Sequence, residues 1–265
     1  MTPEALRHVL EDVAARAARI GVLPDEAEGG APAGPLFRPV DGRAAGVVAD
    51  WVTPVAQRWA ADLDLEPRDL ASVLAEGLAQ ERQIEAVEVA PSGLIAITLS
   101  DVARSAIIEV IGDEADTYAL PGSETYLPIA EEAPGPRAAG DPLARAQCAH
   151  ARLCRLLRNA EAAGVEVRGR TRLEDLTHVS ERQLLIALAD LPQRLESQAG
   201  DRQQQVRAAS ELGDLADAWT KPLRPALVGD PVLSIHGARL ALGGATRIVL
   251  RNGLARLGVA APERM

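Results

Sequence analysis

Residues 141–160, DPLARAQCAHARLCRLLRNA, decide the fold. Continued through Ala163, they form one long amphipathic pattern that stops before Gly164, so a single helix is expected over 142–163. Everything C-terminal of it reads the same way. Residues 180–191 start with an N-cap and place Leu184, Leu185 and Leu188 on one face. Residues 193–199, 202–219 and 231–257 follow as further helices, and 141–265 is therefore expected to be an all-α bundle.

Toward the N-terminus the pattern changes. TPEALRHVLEDVAARA places Leu6, Val9, Leu10 and Val13 at helical spacing, with Thr2 as N-cap and Pro3 at the first helical position. Residues 25–35 are rich in Gly and Pro and read as a loop. Short strands are expected at 37–40 and 46–49, a short helix at 55–63, and another opened by Glu66-Pro67 and running through Leu78. Residues 84–89 alternate, Pro91-Ser92-Gly93 turns the chain, and 94–99 alternate again, which is a β-hairpin. Ser100 then caps a helix closing near Ile111. Helices mixed with a small antiparallel sheet make 1–112 an α+β domain. Residues 113–140 hold Pro121, Pro128, Pro134 and Pro136 with several glycines, the composition of a linker, in which Tyr118, Tyr126 and Leu127 are candidates to dock on a neighbouring domain.

Apolar residues make up 47% of the 265 and aromatics 2%, and mean hydropathy is −0.01. The composition is globular, with a core that must be aliphatic. No run reaches the roughly 18 apolar residues needed to span a bilayer, and the N-terminal helix, with its interleaved acids, is unlike a signal peptide. Cys148 and Cys154, six residues apart in one helix, lie about 240° apart around it and about 9 Å along it, too far for a bridge. Two free thiols fit a reducing cytoplasm. The net charge of −10 is uneven: residues 1–112 carry −9, 113–140 carry −5 and 141–265 carry +4. An acidic total argues against sequence-blind adhesion to nucleic acid, while a basic C-terminal part permits a directed phosphate contact.

Three stretches carry a resemblance to arginyl-tRNA synthetases. Residues 141–160 are similar to the helix that begins that family's anticodon-binding domain (the DALR type), with Gln147, Ala149, His150, Ala151 and Arg152 in matching positions. ERQLLIALADLP at 181–192 looks like the family's next helix. ARLALGGATRIVLRNGLARLGVAAPERM at 238–265 resembles its closing helix and tail. More weakly, Asp50-Trp51-Val52-Thr53 and the hairpin ending SGLIAITL resemble the family's added N-terminal domain. The catalytic motifs are missing from the chain. Its four histidines, His8, His150, His178 and His236, include no HxGH pair; its single lysine is Lys221; and Gly243-Gly244 lies mid-helix rather than after a strand. No cofactor and no metal are expected.

The resemblance implies an RNA-binding face on the first bundle helix. Aromatic side chains that stack on anticodon bases in the family are replaced here by Arg145 and Cys148; a guanidinium can stack, a thiol cannot. Gln147, Arg152, Arg155, Trp219 and Met265 complete the candidate RNA-binding set. Arg152, Arg155 and Arg158 follow i, i+3 spacing, which either tracks phosphates or faces solvent, and Trp219 and His150 also suit packing roles. Asn252-Gly253 is expected to disturb the last helix locally. In the N-terminal domain Pro54, Ala96 and Ile97 replace polar or stacking residues of the family, which makes that domain a scaffold. The implied function is a non-catalytic, cytoplasmic tRNA- or RNA-binding protein, regulatory or accessory, with tRNA-Arg as one candidate partner. The alternative is a protein-interaction module that partners a synthetase or another enzyme and no longer binds RNA. Faces left uncovered without a catalytic domain would be buried by packing of the two domains on each other or by homodimerisation.

Overall fold

The computed structural model describes residues 1–40, 49–120, 140–164, 172–220 and 233–265. It divides into two compact units, Met1–Arg104 and Ser105–Met265, each described by itself. The expected strand at 46–48, Tyr126, Leu127, Lys221 and most of the Pro-rich stretch lie outside the described residues.

The first unit is an α+β layer. Helix α1 (Pro3–Arg19) is capped by the Thr2 hydroxyl, which accepts from the Ala5 N–H at 3.2 Å. It packs on α3 (Pro67–Leu78). The two helices approach so closely that a Cβ on Gly77 would lie 2.3 Å from Val13 Cγ1. Strands β1 (Arg38–Pro39), β2 (Trp51–Thr53), β3 (Ile84–Val89) and β4 (Ile95–Leu99) form an antiparallel sheet in the order β1-β2-β4-β3. The hairpin falls where alternation places it, and β2 at Trp51–Thr53 is a strand that the sequence pattern did not mark. Helix α2 (Val55–Trp59) ends after little more than a turn, short of Leu63.

Trp51, Ile95, Ile97 and Leu99 are fully buried with Leu6, Leu10 and Leu74. Inside this aliphatic core sits one ion pair. The Arg104 guanidinium, 1% exposed, meets the Asp50 carboxylate at 2.8 Å and donates to the Leu99 carbonyl at 2.6 Å, while Asp50 accepts the Leu99 N–H at 2.8 Å. Asp101 also pairs with Arg104. Each charge is satisfied, which removes the large penalty of a buried lone ion. Asp50-Trp51-Val52-Thr53 is thus a piece that holds the fold.

The second unit is helical, and it begins earlier than the composition suggests. The helix read from Ser100 to Ile111 is two helices, α4 (Asp101–Ser105) and α5 (Ile107–Glu114). Ser100 Oγ accepts from the Ala103 N–H at 3.3 Å as expected, but the apolar side of α5, Ile107 and Ile111, packs on the bundle. The bundle proper comprises α6 (Pro142–Ala162), α7 (Val179–Ser197), α8 (Arg202–Thr220) and α9 (Ser234–Arg256). Two expectations need correction here. Residues 180–191 and 193–199 are not separate helices: α7 runs unbroken through Pro192. A proline N–H is missing, so the carbonyl four residues earlier is left without its helical donor. That carbonyl belongs to Leu188, and it accepts the Tyr118 hydroxyl at 2.7 Å. Nor does Asn252 disturb α9, which stays helical to Arg256. The Asn252 amide is buried and donates to the Ala115 carbonyl at 2.8 Å and the Tyr118 carbonyl at 2.9 Å.

Residues 115–120 are therefore clasped to the bundle, Tyr118 docking as expected. Arg256 donates to the Ala119 carbonyl at 3.2 Å, and Arg251 pairs with Asp116. Ala115 and Ala119 both have positive φ, 42° and 62°, a conformation that costs a non-glycine residue of order 1 kcal/mol or more. Their clamped carbonyls hold the strain in place.

Two stability changes follow. A Cβ on Gly213 of α8 would lie 2.8 Å from Ala146 Cα and 2.9 Å from its nitrogen, and backbone cannot yield as a side chain can. Gly213→Ala is expected to destabilise the protein by about 1–3 kcal/mol in urea unfolding. Asp190, 3% exposed, has its carboxyl pushed up by burial to about 6, against an opposing pull from Arg194. The folded state then holds the proton that the unfolded state releases, so this group's contribution weakens as pH rises from about 4 to about 6. Asp190→Asn should be near neutral at pH 4 and stabilising by about 2–3 kcal/mol at pH 7, read from urea midpoints at the two pH values.

Candidate nucleic-acid interface

Three sides of α6 are spoken for. Ala146, Ala149 and Leu153 face inward and are buried. The Gly213–Ala146 approach seats α8 along one flank. The chain beyond α9 returns along the other. Gln147 Nε2 donates to the Ala260 carbonyl at 2.8 Å, and His150 Nδ1 lies 3.0 Å from the Pro262 carbonyl. A carbonyl only accepts, so this contact puts a proton on Nδ1. Arg158 reaches the Glu263 carboxylate at 3.4 Å and its carbonyl at 3.3 Å.

What remains is a strip. At about 100° per residue, positions 145, 148, 152, 155 and 159 fall in one arc of the helix, and these residues are exposed or half-buried. The strip lies between α8 and the returning tail. Four of the seven candidate RNA contacts, Arg145, Cys148, Arg152 and Arg155, share it. Two candidates do not. Gln147 is fully buried, its amide spent on the tail, and Trp219 is 2% exposed. A Cβ on Gly243 would lie 3.6 Å from Trp219 Cη2, so the indole fills the space beside a glycine of α9. Both are packing residues in this structure, with no face open to RNA. Met265, at the end of the tail, is 56% exposed.

The electrostatics of the strip depend on residues that the sequence reading passed over. Arg145 Nη1 is 2.9 Å from Asp214 of α8, and Arg152 pairs with Asp217, one turn further. Arg155 is exposed and has no ion pair among the described residues. The spacing of Asp214 and Asp217, i and i+3, puts both on one face of α8; nothing in the sequence alone says that this face meets the α6 arginines.

Cys154 is buried beside His150, its Sγ 3.8 Å from the ring nitrogens. Burial pushes the thiol up and the imidazole down, so the pair rests neutral, the opposite of an activated thiolate. Among the described residues no cluster of three or more His, Cys, Asp or Glu is placed to hold a metal, and no helix is long and apolar enough to cross a membrane.

Comparison with known proteins matches residues 38–99 to the arginyl tRNA synthetase N terminal domain and residues 146–265 to the DALR anticodon binding domain. The chain is 37% identical over 175 residues to an arginine–tRNA ligase of Clavibacter sepedonicus. It is 36% identical over 165 residues to that of Frankia alni and 35% identical over 165 residues to that of Kineococcus radiotolerans. These alignments cover 64%, 60% and 60% of the chain, but the chain spans about 30% of the length of each relative.

The two thiols should differ in reach. In the native protein an aromatic disulfide reagent is expected to titrate one equivalent, Cys148, promptly, and to reach Cys154 only on unfolding. Loss of the prompt equivalent in Cys148→Ser checks the assignment.

Proposed function

We propose, from a chain that carries an arginyl-tRNA synthetase N-terminal domain and a DALR anticodon-binding domain of that family, that it is a non-catalytic tRNA-binding protein. The binding module is the helical bundle, residues 141–265, and the first unit serves as scaffold. The observation that carries this reading is the open strip of α6. All of it after Arg145 lies within the anticodon-binding match; it is flanked by α8 and the tail, and it presents Arg145, Arg152 and Arg155 in one arc. Guanidinium groups in that arrangement suit phosphate contacts and stacking on single-stranded bases.

Aminoacylation needs groups that stabilise charge developing on ATP. Residues 100–145 alone separate the two matched domains, and they contain neither a paired-histidine motif nor a lysine. The role this supports is accessory or regulatory, in the cytoplasm beside the translation machinery. The rival reading, a protein-interaction module without RNA, draws on the carboxylates that already occupy Arg145 and Arg152.

Titration with total tRNA and with tRNA-Arg at two salt concentrations separates the two. The expected result is micromolar or tighter binding that weakens clearly as salt rises. Replacing Arg145, Arg152 and Arg155 together by Glu should weaken it by at least about tenfold, since each lost phosphate contact also becomes a repulsion. Failure of the wild-type protein to retain tRNA at low salt would hand the case to the protein-interaction reading.

A further inference from the structure

Two arginines of the α6 strip are countered from α8: Asp214 meets Arg145 at 2.9 Å and Asp217 pairs with Arg152. On the tail flank, beside the strip, Glu263 meets Arg158 at 3.4 Å. Only Arg155, among the strip arginines described, is left without a carboxylate. The α8 pairs are not a matter of side-chain reach alone. Gly213 lies against the Ala146 backbone, so the residues that follow it on α8 are brought beside the α6 positions that flank Ala146. Register and distance of the lock are therefore set by the backbone.

We infer that Asp214 and Asp217 are internal stand-ins for RNA phosphate, an acid lock that decides how tightly and how selectively the strip takes a polyanion. This rests on the RNA-binding reading above and deepens it. A carboxylate offers a guanidinium one negative charge and two acceptor oxygens, as a backbone phosphate does. An incoming backbone must therefore displace Asp214 from Arg145 and Asp217 from Arg152, and it then lies beside two carboxylates. RNA that engages Arg155 alone gains too little to do this. RNA that also brings two phosphates to the spacing of Arg145 and Arg152, two turns of helix or about 10 Å apart, opens the lock. The residues that set selectivity here are acids, absent from any list of RNA-contacting side chains. The exposure of both pairs, 68% and 50% for Arg145 and Asp214 and 40% and 30% for Arg152 and Asp217, leaves room for the exchange and keeps the lock weak enough to open.

The test compares four full-length proteins: wild type, D214N/D217N, the charge-matched control E85Q/E88Q, and R155E. Glu85 and Glu88 are exposed on β3, so the control makes the same change in net charge at a site remote in sequence from the strip. Each protein is first confirmed folded by circular dichroism and thermal melting, then titrated with total tRNA and with a single-stranded polyuridine at fixed salt. The lock predicts that D214N/D217N binds total tRNA about five- to tenfold tighter than wild type, in line with one modest surface ion pair released at each arginine. It also predicts a proportionally larger gain for polyuridine, hence lost selectivity, and little change for E85Q/E88Q. Equal affinities for D214N/D217N and the control, with R155E still weaker than wild type, would overturn the lock and leave the RNA-binding reading standing. No binding by any variant would overturn both, because unlocked arginines are what the lock says should bind.

Discussion

The bundle depends on the backbone contact between α6 and α8. Because position 213 is glycine, α8 can lie directly against Ala146 with no side chain between the two helices. That approach fixes which residues of α8 face α6, and it places Asp214 and Asp217 against Arg145 and Arg152. It also fixes what α6 leaves open. With α8 on one flank, the core beneath and the tail on the other flank, one arc of the helix is left to solvent. The proposed binding surface is in this sense a remainder, defined by the three contacts that do not use it.

A second constraint operates on α7 and α9. Pro192 inside α7 frees the Leu188 carbonyl, Tyr118 supplies the missing donor, and Asn252, Arg251 and Arg256 tie down the residues on either side. A buried carbonyl without a donor costs about 1–3 kcal/mol, so the helix and the strap each satisfy a group that the other needs. The positive φ values at Ala115 and Ala119 persist because the carbonyls of these two residues are held. Segment 107–120 thereby becomes a structural part of the bundle and covers apolar surface on α7 and α9 that would otherwise meet water.

Much of this was legible in the sequence. Amphipathic periodicity located α1, α3, α6 and α8 to within a few residues, and alternation around Pro91-Ser92-Gly93 located the hairpin, because both signals are local. The α6 face bearing Arg145, Cys148, Arg152 and Arg155 follows from helical spacing alone. What escaped the reading was whatever depends on a partner distant in sequence. Pro192 looked like a helix end because its compensating donor, Tyr118, lies far back in a stretch that composition marked as linker. Gln147 matched a family position, yet its burial against Ala260 is a tertiary fact; Trp219 suited a packing role from the outset and fills one beside Gly243. The charge on the strip could not be judged without Asp214 and Asp217, whose approach to α6 rests on a glycine that the sequence shows as unremarkable.

On the proposed reading, RNA lies on α6 between α8 and the returning tail, within the bundle that matches the DALR anticodon binding domain. Photo-crosslinking maps it directly. The full-length protein is irradiated with tRNA carrying 4-thiouridine, digested, and the nucleotide-bearing peptides are identified by mass spectrometry. The account predicts crosslinks concentrated on α6 between Arg145 and Asn159 and on the tail from Val259 to Met265. Crosslinks confined to residues 1–104, or spread without preference over both units, would contradict it.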